Sequence, residues 1–121
     1  MAIENKQVGT TQSSNNPVIT VPASKSYAIT TIMVTNTYSP NDASPENQSA
    51  TFDLYFVKSG EAVSNQVNCV VRQLTLPAGE TFTFDTEKIV LSTGDRVFCI
   101  GTPDIGSSKS NLAITASYLE V

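Results

Sequence analysis

The chain has 121 residues, 40% apolar and only 15% charged, with 7 Lys and Arg against 11 Asp and Glu for a formal net charge of −4. Its length fits one domain with one core, and the thin scatter of Lys6, Lys25, Lys58, Arg72, Lys88, Arg96 and Lys109 excludes a phosphate-neutralising surface, hence direct nucleic-acid binding. The absence of histidine excludes Ser-His-Asp and Cys-His units and His-based metal sites.

The first residues, MAIENKQVGT, are polar and lack the apolar stretch of a secretory signal. Synthesis in the cytoplasm without export by that route is the expectation, and with no run of 18 apolar residues no membrane partner is expected. Residues 1–17 read as an extended N-terminal arm, with Thr10, Thr11, Gln12, Asn15 and Asn16 as candidate partner contacts. Two readings stand side by side: a frayed terminus, or an arm that orders on a neighbouring subunit.

Val18–Val21 is the first strand expected, followed by a Pro22–Ser26 turn and a long strand over Tyr27–Tyr38. That strand carries apolar residues at both parities, the pattern of a central strand covered on each side. Ser39–Ser49 (SPNDASPENQS) reads as a long exposed loop and a contact surface, through Asn41, Asp42, Glu46 and Asn47. Ala50–Lys58 alternates with Phe52, Leu54 and Phe56 on the inward face and Thr51, Asp53, Tyr55 and Val57 outward, which implies a one-sided sheet.

Ser59–Gln66 is a second loop, Val67–Leu76 a strand, and Pro77-Ala78-Gly79-Glu80 a turn. Thr81–Asp85 and Ile89–Leu91 read as two short strands, and Ser92-Thr93-Gly94-Asp95 as a tight turn in which Gly94 takes φ > 0. Arg96–Gly101 is a strand, Thr102–Ser110 a third polar loop holding the candidate contact Asp104, and Leu112–Leu119 the last strand.

One phrase occurs twice. Ile19–Thr30 reads ITVPASKSYAIT and Leu74–Asp85 reads LTLPAGETFTFD, each a strand end, a Pro-Ala turn and an alternating strand. Pro22 and Pro77 lack a backbone donor, so each marks where one strand stops pairing. The whole is expected to be all-β: an antiparallel two-sheet β-sandwich of about eight strands, jelly-roll or related Greek-key, in one domain over 18–121.

Fourteen Ser and fifteen Thr without a histidine to activate them read as polar strand faces. Asp53 with Asp85 or Glu87 could form a carboxylate pair held roughly 5–9 Å apart, as glycoside hydrolysis requires, but a sugar cleft also needs aromatic platforms, most aromatics here are in core phase, and the carboxylates read as solvated charges at strand ends. Asn41, Asp42, Glu46 and Asn47 match no full calcium-ligand spacing. Cys69 and Cys99 lie in apolar runs, NCVV and VFCI, and read as reduced hydrophobes, with a cross-strand disulfide as the alternative. No catalytic residue, cofactor or metal is therefore expected. Carbohydrate recognition by Tyr27, Tyr38, Tyr55 or Tyr118 stays open.

Val21-Pro22-Ala23 before Ile29, Ile32, Val34 and Asn36, LPAGE over Leu76–Glu80, and KIVLSTGDRV over Lys88–Val97 together resemble the small β-sandwich virion structural proteins of tailed bacteriophages, above all the marine and cyanophage type. The resemblance spans Val18 to Glu120, and the Ser39–Ser49 loop departs from it as an insertion. It implies a non-enzymatic capsid decoration or cement protein bound to the assembled major capsid shell and located in the virion. A neck, tail or fibre-attachment ring is the alternative within that class, and a glycan-binding module the alternative outside it. Partners would be other virion proteins and further copies of the chain.

Overall fold

The computed structural model describes residues 2–11, 17–39, 41 and 48–121, with the backbone alone at 86–88. The described chain is all-β and contains no helix. Its strands are β1 (Ala2–Gly9), β2 (Ile19–Thr20), β3 (Tyr27–Asn36), β4 (Ala50–Val57), β5 (Cys69–Leu76), β6 (Thr81–Leu91), β7 (Arg96–Thr102) and β8 (Lys109–Glu120).

They form one eight-stranded sheet in the order β5-β4-β7-β1-β8-β3-β6, with β2 also on β7. The expectation of two separate antiparallel sheets is corrected here. The sheet is mixed and continuous because β1 joins its halves: Ala2–Gln7 runs antiparallel to β8, while Gly9 meets Ile100 of β7 in parallel. The sheet then curls nearly into a barrel, so that Phe52 and Phe56 of β4 meet Phe82 and Phe84 of β6, centroids 5.6 and 5.8 Å apart.

The N-terminal arm is also corrected over its described part. Residues 2–9 are an interior strand of the sheet, with Val8 only 1% exposed. Its backbone pairs with β8 from Ala2 to Gln7 and with β7 at Gly9, and this pairing holds a strand with few apolar side chains of its own in the sheet.

The Pro-Ala phrase builds the same turn twice. Lys25 N–H donates to Pro22 O and Glu80 N–H to Pro77 O, with Ser24 at φ 64° and Gly79 at φ 79° in the third position. These are the signs of a type II turn. Each turn passes the chain between the two halves of the sheet, from β2 on β7 to β3, and from β5 on β4 to β6.

Both parities of β3 are apolar for a different reason from double coverage. Thr30 is an extra residue in the ladder to β8, and in the ladder to β6 it stands opposite the three residues 86–88, so Ile29 before it and Ile32 and Val34 after it face the same core. Such a bulge switches the inward parity within one strand. The Thr30 hydroxyl lies 2.7 Å from Ser117 Oγ and donates to Ser117 O at 3.1 Å.

The one-sided reading of β4 holds for Phe52 and Leu54 but not for the opposite face. Tyr55 and Val57 are buried there with Phe98, under Val63 and Cys69, as a second small cluster. The Val57–Asn68 connection supplies that cover: Asn68 Nδ2 donates to Ala62 O, and Asn68 Oδ1 accepts from Ser64 N–H. The cysteines are free and separated by β4, since Cys99 lies in the main core and Cys69 in the second cluster.

Candidate functional site

The residues singled out in the sequence fall at one end of the sheet, as far as they are described. Thr10 N–H donates to Ser108 O, fixing the exit of β1 against the 103–108 segment. Asp104 is exposed and its Oδ1 accepts from Gly106 N–H at 2.8 Å. Asn41 is exposed, its N–H donating to Ser39 Oγ, and Thr11 is exposed. Gln12, Asn15, Asn16, Asp42, Glu46 and Asn47 lie outside the described residues.

Asn36 organises this end, a residue known from the sequence only as part of a strand motif. It is fully buried, where an amide must find partners. Its Nδ2 donates to Gln48 O and Leu76 O, and its Oδ1 accepts from Tyr38 N–H and Asn111 Nδ2. Four segments are tied together in this way. A polar residue in the inward phase of Ile32 and Val34 was the signal for it.

An extended surface lies on the outer side of β1, β8, β3 and β6. Register places Ile3, Ser117, Thr31 and Asp85 in one row, Asn5, Thr115, Met33 and Thr83 in the next, and Gln7, Ala113, Thr35 and Thr81 in the third. Only Asp85 among them is charged. Ile3 and Met33 are 62% and 40% exposed, and the Thr35 and Thr81 hydroxyls bond at 2.8 Å. The sequence shows these residues as alternating polar positions; only pairing turns them into a surface.

A hollow of about 80 Å³ opens between β4, β5 and β7, lined by Thr51, Phe52, Asp53, Gln73, Ile100 and Thr102. Its carboxylate is already engaged. Asp53 Oδ1 accepts from Gln73 N–H at 2.6 Å, and Oδ2 from Arg72 Nη1 at 2.9 Å and Tyr55 Oη at 3.3 Å. Burial, followed by the Asp53 charge, pushes the Tyr55 hydroxyl up to about 12, so it stays a neutral phenol whose single proton lies between Asp53 Oδ2 and Asn65 Oδ1. Burial and Asp53 raise the Cys69 thiol as well. The cluster holds the bulge of β5 against β4, and the hollow is far smaller than the several hundred Å³ of ordinary ligand pockets.

Of the four tyrosines, Tyr55 is buried, Tyr27 and Tyr118 stack with centroids 4.3 Å apart, and Tyr27 and Tyr38 are half-buried. Among the described residues no group of His, Cys, Asp and Glu converges as a metal ion would require.

Comparison with models of known protein families, with curated proteins and with solved structures returned no match in any of the three.

Proposed function

We propose that the chain is a non-enzymatic virion structural protein, a capsid decoration or cement protein that fits against the assembled major capsid shell. The observation that carries this reading is the three described rows on the outer face of β1, β8, β3 and β6, from the row of Ile3 and Asp85 to the row of Gln7 and Thr81, in which only Asp85 is charged. Threonine, serine and amide side chains cost less to desolvate than ion pairs, and exposed Ile3 and Met33 add apolar area. Such a face suits repeated contact with coat subunits. In this reading the curled sheet works as a sandwich whose halves are joined at the end of β1, where Gly9 meets Ile100. Its Asn36-tied end carries Thr10, Asn41 and Asp104 as further contacts.

The test is co-sedimentation of the purified chain with assembled shells that lack it, against unassembled shell protein. Saturable binding to shells alone, with a raised shell melting temperature, is the predicted result, since a ligand of the assembled state stabilises it by mass action. Failure to sediment with shells at concentrations where decoration is normally complete counts against the reading.

A further inference from the structure

The sheet ends in two edges that are finished differently. In β5, Gln73 takes φ 51°, its N–H turns onto Asp53, and Arg72 reaches the same carboxylate. A bulge and a charge on an edge both discourage pairing with another strand. Thr81–Asp85 of β6 has no such interruption, and it pairs regularly with β3 from Thr35↔Thr81 to Thr31↔Asp85.

The direction of its backbone groups follows from two bonds. Asn36 N–H donates to Glu80 O, and Thr37 N–H to Asn111 O. Even-numbered residues in this part of β3 therefore bond to β6 and odd-numbered ones to β8. By the alternation of an antiparallel ladder, Phe82 and Phe84 bond to β3, while Thr81, Thr83 and Asp85 aim their N–H and C=O groups away from it. Among the described residues no strand pairs with that side of β6.

We propose that Thr81–Asp85 pairs with the same stretch of a second copy, antiparallel and centred on Thr83. That register sets Thr83 against Thr83 of the second copy, and Thr81 against Asp85 of the second copy. No like charges meet, and each Asp85 carboxylate faces a threonine hydroxyl able to donate to it. Centring on Asp85 would oppose two carboxylates, and centring on Thr81 would run the pair into the Pro77–Glu80 turn. The cross-strand contact at the axis repeats one this face already makes, the Thr35–Thr81 hydroxyl pair. Pairing would also join the two outer faces into one surface, so the inference rests on the contact role proposed above.

Sedimentation of the full chain between about 1 and about 200 µM reads the result, the range in which a small edge interface is populated. The wild type is expected to move from a 12.9 kDa monomer to twice that mass. Thr83→Pro removes an outward donor and no bond to β3, so it is expected to stay folded and to lose the dimer. Thr83→Lys and Thr83→Glu should each weaken self-association, and their equimolar mixture should associate more tightly than either alone. A wild type that stays monomeric, a Thr83→Pro variant that dimerises as before, or a mixture no tighter than its components overturns the pairing. A monomeric wild type that still sediments with assembled shells overturns this pairing alone, and a dimer that ignores shells overturns the proposed function alone.

Discussion

Asn111 Nδ2 donates to Asn36 Oδ1 at 2.5 Å, joining the start of β8 to the end of β3 inside the protein. The two amides are not equivalent. Every polar atom of the Asn36 side chain is engaged, whereas Asn111 Oδ1 is buried without a partner among the described residues. Asn36→Ala strands the carbonyls of Gln48 and Leu76 and leaves a cavity, and should cost about 2–4 kcal/mol. Asn111→Ala removes one bond, leaves Asn36 Oδ1 with Tyr38 N–H, and should cost roughly half as much. Urea unfolding of the two variants measures the order; equal losses would contradict it.

Ser24 and Gly79 hold the same place in the two Pro-Ala turns, both at positive φ. A side chain there carries a steric penalty that glycine lacks. Ser24→Gly should stabilise by about 0.5 kcal/mol and Gly79→Ala should destabilise by about 1 kcal/mol. Thermal melts should move in opposite directions, by about 2–5 °C.

Gly94 is bound by space as well as by conformation. At φ +85° its added Cβ would sit 2.8 Å from Ser59 Cβ, in a turn that Asp95 pins through Ser92 N–H and Ser59 N–H. Gly60 has φ +84° and open surroundings. Gly94→Ala should therefore cost about 2–3 kcal/mol and Gly60→Ala about 1 kcal/mol. Denaturant midpoints separate them, and equal values would mean that backbone strain alone acts at Gly94.

Alkaline stability follows from the buried phenols. Burial and then the Asp53 charge raise Tyr55 to about 12, and burial, then Glu4 and Tyr27, raise Tyr118 to about 12. Burial raises the Cys99 thiol in the same sense. Unfolding releases these protons near pH 10 for the phenols, so their contribution is complete below that pH and is lost as pH climbs toward 12. Two of the four tyrosines should resist ionisation at 295 nm until the fold is lost. Ionisation of all four near pH 10 in the folded protein would contradict this.

The strands were largely readable because period-2 alternation survives wherever one face is buried. Ala50–Val57 and Tyr27–Asn36 lie almost where the alternation of Phe52, Leu54, Ile32 and Val34 puts them. β1 was not readable: only Ala2 and Val8 are apolar in its inward phase, and what holds it is backbone pairing with β8 along Ala2–Gln7 and with β7 at Gly9. β6 looked like two strands because the charged stretch between Asp85 and Ile89 falls opposite the Thr30 bulge. The buried Asn36 junction and the outer face depend on residues far apart in sequence. Local pattern does not encode which of them meet.

The central claim is that the chain acts by repeated contact within a coat, and counting it in purified particles tests this most directly. Quantitative mass spectrometry of the particles should find the chain in fixed ratio to the major shell protein, on the order of hundreds of copies for a lattice of symmetric contacts. A handful of copies would contradict decoration and move the chain to a neck or tail ring. Absence from washed particles, with the chain recovered only outside them, would contradict the structural role altogether.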